Sequence, residues 1–527
     1  MSRRVTRLYP FFFAVVPILK YAATNPDLFR FDALALLLGS AVAFCGVIYA
    51  LARLAAGRGL PAALAPFVAF LGVAWMYGYN RLRVLVSPDA ADAPHAILIL
   101  VAVALTAACI WWIRRREALL EGMGRFLTLT AALLIGWSTV QIGAWWLRGR
   151  SAIARSALAR DLARPIDGPA TAPDPRRDVY LIVLDEYANS AVLRERTGYD
   201  NGAFEDSLRA LGFHVPAVVR SNYAHTLLSL PSMLNSAHLT ALEGELGAEA
   251  RQPALPNYLL EHNRGAAYLQ ARGYRYVFFP SSWWHSTSSS ATADAEFHPW
   301  SEFDFRRFMS SGELPRTIRG ATLLRYVDSE HRWEAEHTRL TLGGLADLAR
   351  DPVPTFAFAH VLKPHDPFVF DRECRTLPRE HEEEQEMALY LEQLECVNRM
   401  LLQTVGEILR TSTVPPIIIL QGDHGTKFLG ATGYDRAENV PPAAARERVG
   451  AFGAYYLPAG GVAAFGDTVT VVNVLGNVLR HYFGAHLPRA GDEQYISPAH
   501  YPYAFRKVDA RWLAGEVSAG PVLRAGR

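Results

Sequence analysis

Cysteine is scarce in this chain. Four residues among 527 are too few for a disulfide scaffold or a zinc-finger array. A surplus of either charge is also missing, since 53 lysines and arginines stand against 51 aspartates and glutamates. That balance gives no reason to expect a nucleic-acid partner, which asks for a basic excess. No internal repeat recurs, and outside one proline-rich piece there is no low-complexity tract. The first apolar run lacks a small-residue cleavage site and further runs follow it, so a cleaved signal peptide is not expected.

Long uncharged stretches, by contrast, are concentrated in the N-terminal third. Ala33 to Ala52, Leu60 to Asn80, Ala96 to Ile113 and Phe126 to Leu147 contain no charged residue, and Leu8 to Thr24 contains only Lys20, with Pro10 and Pro17. About twenty residues rising about 1.5 Å each cross a bilayer core, so residues 1–147 read as a five-span transmembrane domain. Cys45 and Cys109 fall inside these runs as spectators. Arg3, Arg4, Arg7, Arg53, Arg58, Arg114, Arg115, Arg116 and Arg125 lie on one set of loops, against Arg30, Arg81 and Arg83 on the other. The positive-inside rule then puts the N-terminus in the cytoplasm and everything after the fifth span outside. Residues 148–177 carry Arg148, Arg150, Arg155 and Arg160, then Pro165, Pro169, Pro173 and Pro175. The first part reads either as a helix on the membrane surface or as a solvated connector, the second as a linker.

From Asp178 the pattern changes to strands alternating with helices. DVYLIVLDEY, Tyr274 to Phe279, Pro354 to Val361 and Pro416 to Gln421 are continuous apolar strands. Helices are expected near Asn201 to Leu211, Tyr258 to Ala271 and Glu382 to Arg410. In the last, Met387, Tyr390, Leu394, Val397, Leu401, Val405 and Ile408 recur every three or four residues. This order predicts an α/β sandwich with a mostly parallel central sheet over residues 178–527. In such sheets the chemistry gathers at the carboxyl ends of the strands. Asp185 and Glu186 end the first strand, His360 and His365 end the third, and Asp423 and His424 end the fourth. Carboxylates and neutral imidazoles are ligands for zinc or a similar divalent ion. Thr226, at the head of an apolar helix in SNYAHTLLSLPSMLN, reads either as an N-cap or as an activated hydroxyl nucleophile.

The ordered segments DVYLIVLDEY, NYAHTLLSLPSMLN, HVLKPHDPF and LQGDHG resemble the alkaline phosphatase/sulfatase superfamily. With five spans in front, the chain looks like the membrane phosphoethanolamine transferases and lipoteichoic acid (phosphoglycerol) synthases. The resemblance implies Thr226 as nucleophile and metal ligand, with Asp185, Asp423 and His424 completing the metal set. It implies His365 as a substrate-binding histidine near the leaving group and Glu186 as a second acidic ligand found in some members, while His360, at the end of the third strand, is a further substrate-binding candidate. The metal would be zinc, with manganese or magnesium as alternatives. The further histidine that phosphoethanolamine transferases carry after DHG is absent here; Lys427 stands in that region and offers fixed positive charge to a phosphate. Sulfatases mature a residue in C/S-x-P-x-R, and here Met233 replaces the arginine, which argues against that branch.

The function so implied is transfer of a phospholipid head group, phosphoethanolamine or phosphoglycerol, through Thr226 to an envelope glycan or glycolipid. The enzyme would sit in the bacterial inner membrane with its catalytic domain in the periplasm. The alternatives are a membrane-tethered hydrolase, with water as acceptor, and a catalytically silent scaffold. Cys374 and Cys396, outside by this topology, are either a disulfide or two thiols. Trp283, Trp284 and His285 read as a lipid or sugar contact or as interfacial anchors.

Overall fold

The computed structural model describes residues 7–26, 31–56, 61–86, 95–114, 116–282, 285–298, 312–326, 330–377 and 385–515. By its contacts the chain divides into two compact units, 1–148 with 308–329 and 149–307 with 330–527.

In the first unit each apolar run forms a helix: α1 (Tyr9–Thr24), α2 (Phe31–Ala56), α3 (Leu64–Val86), α4 (His95–Ile113) and α5 (Glu117–Arg155). Among the described residues, Phe31–Ala55 and Glu117–Arg155 are long and apolar enough to cross a membrane, while Tyr9–Thr24 and Leu98–Ile113 are apolar but shorter. Length and composition thus support two crossing helices of the five expected. Two polar side chains inside this unit find partners, as an apolar surrounding favours. Trp75 Nε1 donates to Thr106 Oγ1 at 2.8 Å, and Tyr77 donates to the Ala14 carbonyl at 2.9 Å. One helix of the first unit comes from later in the chain. Glu313–Ala321, which the sequence boundaries place in the C-terminal domain, buries Leu314 and Ile318 against Ile18, Ala22, Leu34 and Leu37.

The second unit is built on a six-stranded sheet. Its strands are β1 (Val179–Leu184), β3 (Arg275–Phe279), β4 (Ala295–Glu296), β5 (Thr355–Val361), β6 (Ile417–Gly422) and β7 (Gly453–Tyr456), in the order β4-β3-β5-β1-β6-β7. All neighbours are parallel except β7, which runs antiparallel to β6. Four short strands form two further pairs, β2 (Val218–Arg220) with β8 (Thr468–Thr470) and β9 (Tyr495–Ile496) with β10 (Arg506–Lys507).

Every residue of β1 is buried, which is why it reads as an unbroken apolar run. Alternate side chains serve opposite faces. Tyr180, Ile182 and Leu184 join one core with Leu394, Val397, Leu401 and Val405 of helix Glu386–Thr411. Val179, Leu181 and Val183 join another with Leu230, Met233 and Leu234 of helix Thr226–Asn235. The register matters most for the site. Leu184 lies opposite both Val361 and Gly422, so the chains leaving β1, β5 and β6 emerge at one level.

Some expectations are corrected. The helix expected over Tyr258 to Ala271 is two, Ala254–Glu261 and Arg264–Gln270, broken where Asn263 caps the second by accepting from Ala266 N at 2.8 Å. Met387, expected on the buried stripe of the long helix, is exposed because it sits in the first turn, before the packed face begins. The arginine-rich stretch after residue 147 is not one amphipathic helix. Its first part extends α5, and Ser156 then caps a separate helix, Ala157–Leu162, that buries Ala159 and Leu162 in the second unit. The proline-rich piece is likewise docked, with Ile166 and Ala172 against the core and the His486 N–H bonded to the Asp167 carbonyl at 2.8 Å.

Candidate metal centre

The aligned strand ends deliver three motif segments to one place, and helix Thr226–Asn235 delivers the fourth. His225 is the N-cap of that helix and Thr226 its first residue, so the Thr226 side chain is not spent on capping. Its Oγ1 donates instead to Asp423 Oδ2 at 2.7 Å and lies 3.0 Å from His424 Nε2. The N-cap position belongs to His225, and the Thr226 hydroxyl points into the carboxylate cluster.

Asp423 is held from all sides. Its Oδ1 accepts the Glu186 N–H at 3.0 Å and the His424 N–H at 2.8 Å, while Ser221 and Ser229 both donate to its carbonyl. His424 has its Nδ1 3.2 Å from the Gly425 carbonyl, which fixes the tautomer with the lone pair on Nε2. That lone pair faces Thr226 Oγ1, Asp423 Oδ2 at 3.2 Å and Asp185 Oδ1 at 3.9 Å. Asp185, Asp423 and His424 are all buried, and each places a ligand atom within 4.8 Å of the other two.

Electrostatics single this cluster out. Burial, then the charges of Asp423 and Glu186, pushes the Asp185 carboxyl well above its ordinary range. Burial also raises Asp423 to about 6, against the opposing hydrogen bonds of Thr226 and Glu186. Burial and the neighbouring Arg448 drive His424 well below the usual imidazole range, so it is neutral. Asp185 Oδ1 is buried without a hydrogen-bond partner. Crowded carboxylates, a neutral imidazole lone pair, a hydroxyl and an orphan carboxylate oxygen together fit a divalent cation. The Nδ1 contact of His424 with a carbonyl is the outer support such a ligand needs.

The remaining candidates lie around this core. His360 is fully buried, its Nδ1 2.9 Å from Thr287 Oγ1 and its Nε2 3.7 Å from Asp185 Oδ2. It therefore stands behind Asp185, on the interior side of the cluster. Burial lowers it to about 3. His365 and Lys427 are partly exposed, at 20% and 33% of their side chains, and form the accessible side of the cluster. Glu186, held at a φ of 61°, turns its carboxylate to His365 Nε2 at 3.3 Å, Lys427 Nζ at 3.6 Å and Arg448 Nη1 at 3.5 Å. It belongs to this second group and not to the Asp185 set. Lys427 also pairs with Asp366. Burial opposes the Asp366 carboxylate, but His365 and Lys427 prevail and bring it to about 2.

The loop carrying His365 is clamped to the long helix. Gln393, fully buried, donates to the Pro364 and His365 carbonyls at 3.0 Å and accepts from Val369 N at 2.8 Å. One turn on, Cys396 is joined to Cys374 in a disulfide with Cα atoms 5.1 Å apart. Trp283 and Trp284 lie outside the described residues, as does the His285 side chain.

Two residues of the site escape the sequence reading. Arg448 is buried, donating to the Ala224 and Gly425 carbonyls at 2.8 Å, with Nη2 3.1 Å from His424 Nε2. Asp366 is the other, one step past His365.

No family model and no curated protein matches this chain. Among solved structures it is similar to the C-terminal periplasmic domain of EcEptC from Escherichia coli, at 11% identity over 65% of this chain and 96% of that one, with a TM-score of 0.44. A structure of that domain in complex with Zn gives 11%, 66%, 96% and 0.42. The periplasmic domain of phosphoethanolamine transferase EptC from Campylobacter jejuni gives 12%, 66%, 96% and 0.38. The lipoteichoic acid synthase LtaP from Listeria monocytogenes gives 9%, 64%, 82% and 0.39.

Proposed function

We propose that this protein is a membrane-bound, metal-dependent phosphotransferase that moves a phospholipid head group through Thr226 to a cell-envelope glycan or glycolipid. One observation carries the reading: the Thr226 hydroxyl, first in its helix, donates to Asp423 and abuts the lone pair of His424 inside a buried carboxylate cluster. Asp185, Asp423, His424 and Thr226 would hold the metal, zinc by the chemistry of the donors. Once bound it supplies Lewis acidity and lowers the pKa of the hydroxyl.

The chain's own groups do the rest. Asp423 Oδ2 already accepts the hydrogen bond of the Thr226 hydroxyl and is placed to take its proton. As the Thr226 Oγ1–phosphorus bond forms, the bond from phosphorus to the diacylglycerol oxygen breaks, and the hydroxyl proton goes to the released alcohol. The product is a phosphothreonine diester. An acceptor hydroxyl then attacks phosphorus, its proton restores Thr226, and the head group leaves on the acceptor. His365 and Lys427, on the accessible side, bind the phosphoryl oxygens and the leaving group. A membrane-embedded N-terminal unit of five spans, with the catalytic unit in the periplasm, suits a lipid donor. Exposed Leu51, Leu54, Leu100, Leu133 and Trp137 on α2, α4 and α5 suit contact with lipid.

The test is an intact-mass spectrum of the detergent-purified protein after incubation with native phospholipids, beside Thr226→Ala. A phosphoethanolamine or phosphoglycerol adduct on wild type alone is expected. A bare phosphoryl adduct would point to hydrolysis, and no adduct on metal-loaded protein would sink transfer through Thr226.

A further inference from the structure

A second group of metal-type ligands stands beside the first: Glu186, His365 and Asp366 each place a ligand atom within 4.8 Å of the others. Residues of this kind at that spacing hold a divalent ion in many proteins. In this chain a side-chain cation already sits among them. The Lys427 ammonium lies 3.6 Å from Glu186 Oε2 and pairs directly with Asp366 Oδ1, on the same carboxylates that would face an ion. His365 Nε2 contacts the same Glu186 oxygen, so the three donors and the ammonium share one small space.

The lysine is built into position. Buried Glu447 accepts from the Thr426 hydroxyl at 2.8 Å, the Phe428 N–H at 2.7 Å and the Leu429 N–H at 3.1 Å. The residues flanking Lys427 on both sides are thus pinned, and its backbone cannot swing away. Glu186 is turned toward it by a left-handed backbone, a conformation unfavourable for a non-glycine residue. Such local strain persists where surrounding structure imposes it, commonly at functional sites.

We infer that Lys427 is the resident second cation of this centre, so that the protein takes one divalent ion per chain and the Glu186–His365–Asp366 cluster takes none. The inference rests on the proposed metal-dependent transfer. Four carboxylates, Asp185, Glu186, Asp366 and Asp423, are set against the side-chain cations Lys427 and Arg448. One divalent ion brings the set to neutrality, so a second is not needed to balance it.

The experiment measures zinc per chain in the full-length, detergent-purified protein, stripped with chelator, reloaded with excess zinc and dialysed. Wild type is expected to hold one zinc, Lys427→Arg one, and Lys427→Met two, because the uncharged side chain opens the cluster. Lys427→Met/Asp366→Asn is expected to return to one, which locates the second ion. Two zinc ions in wild type, or one in a folded Lys427→Met protein, would overturn the lysine's role while leaving the first centre standing. No zinc in wild type would overturn the metal centre itself, and this inference with it.

Discussion

Acidification from about pH 7 to about pH 5 should strip this centre of its metal earlier than ordinary carboxylates would allow. Metal competes with protons for the same oxygens, so affinity scales with the ionised fraction of each ligand. A group at about 6, as Asp423 is, is about nine-tenths ionised at about pH 7 and about one-tenth at about pH 5. Apparent affinity therefore falls about tenfold from Asp423 alone, whereas an unperturbed carboxylate would lose less than about a tenth of its ionised form. Asp185, pushed up by burial and by Asp423 and Glu186, adds to the fall in the same direction. His424 and His360 are held well below this window and do not contribute, so the slope reports the carboxylates.

The metal-free protein should show the opposite sign. Its raised carboxyls bind more protons folded than unfolded, so stability falls as pH rises from the ordinary carboxylate range through about 6. A chelator competition series at stepped pH on the full-length protein measures the affinity, and calorimetry in two buffers counts released protons. Asp423→Asn should bind more weakly and with a slope shallower by about one proton. An affinity flat to within about twofold over this range, or an Asp423→Asn slope equal to that of wild type, would refute the assignment of these carboxylates as ligands.

Two further substitutions probe the scaffold that aims the site. Gln393→Ala removes three buried hydrogen bonds from the loop carrying His365 and leaves their partners unpaired, a loss of about 3 kcal/mol or more in that loop. The Val369 amide should then exchange with solvent about a hundredfold faster, and unchanged protection would show that the clamp lies elsewhere. In Gly425→Ala the new Cβ would overlap the backbone carbonyls of Glu447 and Gly450, which cannot give way like a flexible side chain. A stability loss of about 1–3 kcal/mol is expected in thermal unfolding, together with weakened zinc binding because His424 is displaced; wild-type values for both would contradict the packing argument.

The parts legible in the sequence were those whose physics is local. Strands β1, β5 and β6 are buried on both faces, and burial writes itself as an unbroken apolar run ending in polar residues. The long helix shows its buried stripe as a repeat of three and four. The strand-end rule then gathered Asp185, Asp423 and His424, and the register of β1 with its two neighbours explains why it worked. His360 shows where the rule falls short. It lies within β5 opposite Val183, a position that directs it into the interior beside Thr287, whereas His365 lies beyond the strand on the accessible side. Proximity in sequence to a strand end does not say on which side of the site a residue will stand.

Arg448 was hidden for a different reason. Arg446, Glu447 and Arg448 are three consecutive charged residues on a short helix, and only Arg446 pairs at the surface, with Glu195. Glu447 and Arg448 are buried, and both bond to the loop after β6, Glu447 accepting from Thr426, Phe428 and Leu429 and Arg448 donating to the Gly425 carbonyl. The missing step was the direction of β7. An antiparallel strand beside β6 begins where β6 ends, as the pairing of Gln421 with Gly453 requires. Whatever immediately precedes β7 must therefore lie against whatever immediately follows β6, and that pairs RERVG with GDHGTKF. Had the short run GAYY been read as a returning edge strand, the same geometry would have set the guanidinium of Arg448 beside His424 and the carboxylate of Glu447 beneath the Lys427 loop. Long-range charge placement in this protein follows from strand direction, which composition and periodicity along one segment do not carry.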